Sequence, residues 1–205
     1  YRFSLDKNAN TGGSSGTTPG PLLVLKQYQT TYVTVENHMT IPTGVHWHGL
    51  ELDSWADGVP GWSASDGQMS PVIQPGEKFT YKLSLMRPGT FIYHSHLDDI
   101  NQLTGGLYGP LLVFAEGDTY NPETDHVFIF GWNSPNPSSP KDLELNGRQE
   151  HPTQHTSVGE KSKETNHRYP CIRCILLNDV NFSLFFYLKS NTIIEYGDRP
   201  SLMSK

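Results

Sequence analysis

At 205 residues the chain has room for one large domain, or for one complete domain and part of another. Its hydrophobic content of 35% can fill a core, no apolar run approaches the ~20 residues that span a bilayer, and a formal charge of −6 without any basic block argues against nucleic acid as a partner. A helical membrane span is excluded, and 19 glycines with 15 prolines, spread without a repeat, favour short strands joined by tight turns.

The first stretch, residues 1–20, pairs a strand-like start at Tyr1-Arg2-Phe3-Ser4-Leu5 with a loop of glycines and small polar residues from Asn8 to Gly16. From Pro21 to about Glu116 the strand signals are dense. Tyr32 to Asn37 alternates, with Val33 and Val35 on one face, and Lys78 to Leu85 alternates through Phe79, Tyr81, Leu83 and Leu85, as half-buried antiparallel strands do. Gln74-Pro75-Gly76-Glu77 and Arg87-Pro88-Gly89 read as turns, and Leu111-Leu112-Val113-Phe114 as a short buried strand. Strands at this spacing point to a sandwich or barrel. Residues 117–124 read as a linker, and a second unit begins at Asp125 with the strand Val127-Phe128-Ile129-Phe130-Gly131-Trp132. Residues 1–116 are therefore expected to form one domain and 125–205 an incomplete or irregular second segment with exposed strand edges, an association hazard. Within that segment His151 to Pro170 is polar and weakly patterned, and apolar character returns only at Cys171 to Leu177 and Asn181 to Leu188.

Four of the nine histidines fall in two identical spacings, His46-Trp47-His48 and His94-Ser95-His96. Side chains of a strand alternate with period two, so both imidazoles of each pair leave the same face about 7 Å apart, and two such pairs on neighbouring strands would converge four imidazoles. Neutral imidazole suits copper, zinc, iron or nickel, and four of them without a thiolate favour such a metal over magnesium or calcium. Trp47 must point to the opposite face, where its expected role is packing.

Read in order, Val45-His46-Trp47-His48-Gly49-Leu50, Asp57-Gly58-Val59-Pro60, Gln74-Pro75-Gly76, Gly89-Thr90-Phe91-Ile92-Tyr93-His94-Ser95-His96 and Gly106-Leu107-Tyr108-Gly109-Pro110-Leu111-Leu112-Val113 resemble the first-type cupredoxin domain of multicopper oxidases, with laccase-like members most similar. The resemblance covers about residues 19–116, and five separated motifs keep their order and spacing. It implies an all-β, cupredoxin-like Greek-key β-sandwich that contributes half of a trinuclear copper cluster, where dioxygen is reduced to water at the expense of phenolic or similar reductants. By motif, His46 would bind the type 2 copper, and His48, His94 and His96 the type 3 pair. Asp57 corresponds to an acidic residue that assists proton delivery near the cluster, against which stands an ordinary loop aspartate before glycine. Asp98 and Asp99 are open to two readings, as hydrogen-bond acceptors for the ligand imidazoles or as solvated loop carboxylates.

The sequence also departs from the family. No His-Cys-His, which would bind a type 1 copper, occurs, and His38, His126, His151, His155 and His167 never form the family's His-x-x-His-x-His. The chain thus carries four of the eight cluster histidines that the resemblance calls for, and the complementary cupredoxin domain is expected from the same parent polypeptide or a partner chain. The alternatives are a non-catalytic copper-binding module for storage, delivery or assembly, and a truncated inactive fragment; a copper nitrite reductase is disfavoured because its first domain would contain the type 1 cysteine. Cys171 and Cys174 form a Cys-x-x-Cys pair with His167 nearby, which is expected to be incidental because a structural zinc wants four ligands. Leu145-Asn146-Gly147-Arg148 and Asn181-Phe182-Ser183-Leu184 resemble pieces of a second cupredoxin domain, and the family's glycine after Leu23-Val24-Leu25 is replaced by Gln27-Tyr28-Gln29, so that turn is expected to be altered. The resemblance implies an extracellular or periplasmic location.

Overall fold

The computed structural model describes residues 1–5, 16–122, 125–132, 143–147, 173–176 and 184–189. The chain is built from strands: β1 (Leu23–Lys26), β2 (Thr31–Glu36), β3 (Val45–His48), β4 (Ala64–Ser65), β5 (Gln68–Met69), β6 (Lys78–Leu83), β7 (Gly89–Ser95), β8 (Tyr108–Phe114), β9 (Asp125–Trp132), β10 (Leu143–Leu145), β11 (Arg173–Leu176) and β12 (Leu184–Lys189). Helical structure is confined, among the described residues, to one turn, α1 (Ser54–Asp57), and a π-helical turn at Asp99–Leu103.

Two layers enclose the main core. One is a four-stranded sheet in the order β1-β8-β7-β3, with β1 parallel to β8 and the other pairs antiparallel; facing it, β2 pairs with β6. The alternation expected on β2 and β6 decides what lies between them: Val33, Val35, Phe79, Tyr81 and Leu83 meet Val45, Trp47, Phe91, Tyr93, Leu111 and Val113 from the sheet. This is the cupredoxin-like β-sandwich. Strand β8 is buried along its whole length, because its other face also packs. There Ile92, Tyr108, Leu112 and Phe114 form a second cluster with Ile129 of β9. An apolar run without alternation is what a strand covered on both faces requires.

Strand β9 begins at Asp125 and lies in an antiparallel sheet of order β10-β9-β12-β11. Gly131 on β9 is a site of close approach, since a Cβ there would fall on the Tyr108 hydroxyl. The expectations placed on residues 6–15, 148–172 and 177–183, including the glycine-rich loop, Cys171 and Asn181-Phe182-Ser183, and on the Cys174 side chain lie outside the described residues.

Three details differ from the sequence expectations or sharpen them. The strand-like start is a single bridge, Phe3 to Thr17, whose Phe3 ring meets Tyr93 edge-on at 5.1 Å. The alternating run from Lys78 stops pairing at Leu83, although Leu85 remains buried; Arg87 and Pro88 follow, and the Arg87 guanidinium turns back to the Glu51 carboxylate at 2.8 Å and the Gly49 carbonyl at 3.0 Å. The altered turn after β1 holds Tyr28 at φ 61°, a left-handed conformation that a glycine would adopt without strain.

Candidate metal centre

Strands β3 and β7 place the histidines. They pair antiparallel with His46 directly opposite His94, so the two His-x-His segments present their imidazoles on one face. The His46 ring lies 5.3 Å from that of His48, 5.3 Å from that of His94 and 5.4 Å from that of His96, centroid to centroid. One ring nitrogen from each of His46, His48 and His94 falls within 4.8 Å of the other two. Trp47 points the other way, buried between Tyr81 at 5.5 Å and Tyr93 at 5.9 Å, so it packs the core.

Hydrogen bonds decide which nitrogens face inward. His46 Nδ1 meets the Asp57 backbone carbonyl at 2.7 Å, and His94 Nδ1 meets the Ser95 carbonyl at 2.8 Å. A ring nitrogen held on a carbonyl carries a proton, so Nε2 is the nitrogen of both rings that remains available to a metal. Nδ1 of His48 faces His94 Nε2 at 3.4 Å. The converging donors are therefore Nε2 of His46, Nδ1 of His48 and Nε2 of His94. Burial is graded across the group: His94 is 5% exposed, while the His96 side chain is 38% exposed at the rim, beside exposed Leu97 and Ile100.

The electrostatics disfavour the charged form of His94 and His48. Burial, aided by the neighbouring imidazoles and only partly opposed by the Ser95 carbonyl, pushes His94 down to about 3. Burial also lowers His48, with help from His46 and His96 and against the Asp57 charge. At Asp57 burial raises the carboxyl, but hydrogen bonds from His46 and Ser63 and the nearby imidazoles outweigh it, so the group is held below the ordinary carboxylate range. Its Oδ2 lies 3.3 Å from His46 Nδ1 and accepts from the Ser63 hydroxyl at 3.3 Å.

The loop that carries Asp57 is shaped for this contact. α1 ends at Gly58, whose φ of 90° and position against the Val45 carbonyl leave no space for a side chain. The two acidic residues after the second histidine pair separate in role. Asp98 accepts from the Asn101 backbone at 3.1 Å and its side chain at 2.8 Å, and so caps the π-helical turn. Asp99 places Oδ1 3.9 Å from His96 Nδ1, an ion-pair distance and not a hydrogen bond, and that oxygen is buried without a hydrogen-bond partner. Sequence reasoning missed Ser63 and the two backbone carbonyls, because neither carries a local pattern that announces a partner brought in by folding.

An imidazole cluster on one face of a cupredoxin-like sandwich defines a class of metal-binding β-protein. Residues 2–118 match the family model described as multicopper oxidase. Copper resistance protein A of Pseudomonas syringae pv. tomato is 35% identical over 127 residues, 61% of this chain and 20% of that protein. Laccase 1 of Metarhizium majus is 39% identical over 107 residues, 51% of this chain and 16% of that protein. The crystal structure of the blue copper oxidase from Nitrosomonas europaea superposes with a TM-score of 0.50 at 27% identity, over 65% of this chain and 45% of that one. The chain belongs to the multicopper oxidase family. Its matched part spans about a fifth or less of the length of these two relatives. Among the described residues no helix is long and apolar enough to cross a membrane.

Proposed function

We propose that this chain supplies one half of the trinuclear copper cluster of a laccase-like oxidase, in which one-electron oxidation of phenolic-type reductants is coupled to reduction of dioxygen to water. The observation that carries this is the pairing of His46 opposite His94, which gathers the imidazoles of two His-x-His segments on one face. The donor set fits copper: nitrogen donors only, two of them with their outer nitrogen fixed on a carbonyl oxygen. Copper bound there supplies redox chemistry and dioxygen binding.

The chain's own residues bind and orient. His46 is assigned to the type 2 position, and His48, His94 and His96 to the type 3 pair. Asp57 holds the His46 ring and, beside it, is placed to pass a proton toward the cluster. In this reading a complementary cupredoxin domain, from the same polypeptide or a partner chain, adds the remaining ligands at the edge where the partly exposed His96 lies. Residues 1–116 form the copper-binding domain of this proposal and 125–205 part of a second, in an extracellular or periplasmic setting. A second reading of the same imidazole group is a copper-binding module without catalysis.

The test is copper stoichiometry of the purified chain with Cys171 and Cys174 replaced by serine, read with its electron paramagnetic resonance spectrum and oxygen consumption. A coupled copper pair with oxygen uptake supports a cluster completed between chains. A simple type 2 signal without oxygen uptake, which becomes oxidase activity when a complementary domain is added, supports the half-cluster. Tight copper binding that never supports oxygen uptake supports the storage module. No copper binding refutes all three. Asp57→Ala is expected to keep copper content while slowing oxygen reduction in a completed cluster, and an unchanged rate removes its proton role.

A further inference from the structure

Behind the imidazoles, on the opposite face of the strands that carry them, lies a buried polar hub. Ser95, between His94 and His96, donates its hydroxyl to Gln102 Oε1 at 2.6 Å. Thr43, three residues before His46 and on the face opposite it by strand alternation, donates its hydroxyl to the same oxygen at 2.7 Å. Gln102 Nε2 donates to the Pro42 carbonyl at 2.7 Å. Thr43, Ser95 and Gln102 are each at most 4% exposed. A carbonyl oxygen has two lone pairs, and both are used here. The opposite amide orientation would set two acceptors against each other at Pro42, so the arrangement of the hub is determined.

The hub sits where the strand ladder gives out. The last paired residues of β3 and β7 are Val45 and Ser95. His96 lies one residue beyond, held by its backbone N–H on the Gly44 carbonyl at 3.1 Å and, through Ser95, by Gln102. Gln102 reaches this point because the chain enters a π-helical turn directly after the second histidine pair, its N–H donating to the Asp98 carbonyl at 2.8 Å. Turns of this kind are uncommon and recur at functional sites.

We propose that Gln102 is a positioning residue for the copper site: by gathering the Thr43 and Ser95 hydroxyls on one oxygen, it fixes the two ligand strands against each other beyond the end of their ladder and so aims His94 and His96 at His46 and His48. The proposal rests on the half-cluster reading. The hub's side chains act on the imidazoles through the backbone on either side of Ser95, whose own carbonyl meets His94 Nδ1 at 2.8 Å.

The experiment uses the full chain with Cys171 and Cys174 replaced by serine. Three forms are compared: the parent, Gln102→Leu, and the triple variant Thr43→Val, Ser95→Ala, Gln102→Leu. Copper(II) affinity is measured against a competing chelator, the copper signal by electron paramagnetic resonance, and stability by thermal unfolding without metal. Gln102→Leu is expected to bind copper about 10- to 100-fold more weakly, the usual effect of losing a residue that orients ligands. The triple variant removes every hydroxyl that Gln102 would leave orphaned, so its stability should recover relative to Gln102→Leu. Its copper affinity should stay low and its nitrogen hyperfine pattern altered, because apolar contacts do not fix direction.

A triple variant that binds copper as the parent does overturns the proposal, since packing would then suffice. So does a folded Gln102→Leu form with affinity within threefold of the parent. Should neither variant fold, Thr43→Val alone removes one hydroxyl at constant shape and is read the same way. A parent chain that binds no copper refutes the half-cluster reading instead. The positioning role is then decided on the metal-free chain by imidazole nitrogen NMR: loss of the Nδ1-protonated form of His94 in Gln102→Leu supports it, and an unchanged imidazole spectrum overturns it.

Discussion

Removing a single oxygen, in Tyr81→Phe, tests how the edge of the histidine-bearing sheet is secured. Strand β3 pairs only with β7, so the backbone groups on its far side need partners from elsewhere. The Val45 N–H finds the Tyr81 hydroxyl at 3.2 Å, with both residues at most 1% exposed. Burial pushes that hydroxyl up to about 12, so it stays protonated through any ordinary pH. The ring itself would be unchanged in the variant, and its edge-on contacts with Phe79 at 4.8 Å and Trp47 at 5.5 Å would persist. What is lost is the acceptor alone, which leaves a buried N–H orphaned at a cost of about 1–3 kcal/mol. For a chain of this size that corresponds to a fall in Tm of roughly 2–4 °C per kcal/mol. The assay is thermal and urea unfolding of the metal-free chain, with Tyr32→Phe as the control because Tyr32 is 67% exposed. Copper affinity should also fall, since Val45 immediately precedes His46. A Tyr81→Phe variant as stable as the control would refute the idea that this hydroxyl closes the edge of β3.

Three further outcomes are expected. Gly58→Ala should destabilise the domain by more than the ~1–2 kcal/mol of left-handed strain alone, because the added Cβ would sit on the Val45 carbonyl, and copper binding should weaken with it as Asp57 is displaced from His46; unfolding and copper titration together check this. Tyr28→Gly should stabilise the chain by roughly 1 kcal/mol through relief of the same strain at an exposed turn, and a lower Tm would count against it. In the metal-free chain, stability should fall with acid. His94 and His48 are lowered in the folded state, so between the unfolded value near 6.5 and the folded one the unfolded chain binds more protons. Their contribution is complete above about pH 6.5 and declines below it, by up to about 1.4 kcal/mol per pH unit for each group. Urea midpoints at pH 7 and pH 5 measure this, and His94→Ala should flatten the slope; a midpoint that does not move would show that the imidazoles are not buried neutral.

Much of the sandwich was legible in the residues because its causes are local. Alternation at Val33 and Val35 and from Phe79 to Leu83 follows from a strand with one buried face, and the unalternating Leu111–Phe114 from a strand covered on both. The imidazole face was legible for the same reason: period two puts His46 with His48 and His94 with His96 without any knowledge of the partner strand. The pattern did not show where pairing stops, because Leu85 is nearly as buried outside β6 as Leu83 within it, and the ladder ends at Leu83 because its partner strand begins at Thr31.

By itself the sequence determined the strand content, the two-faced character of β8, the pairing of imidazoles on each strand and the membership of Trp47 in the core. Only the tertiary structure decided the register that sets His46 opposite His94, and which nitrogen of each ring faces inward. It also separated Asp98, spent on capping a turn, from Asp99, set beside His96. Gln102 belongs to the same class: nothing in its neighbours along the chain distinguishes it, and its three hydrogen bonds reach back to Pro42 and Thr43 and across to Ser95. Periodicity is a property of one strand and its solvent, whereas the His46 ring is held by the Asp57 carbonyl and Gln102 by Pro42 and Thr43, partners distant in the chain that only folding brings within hydrogen-bonding distance.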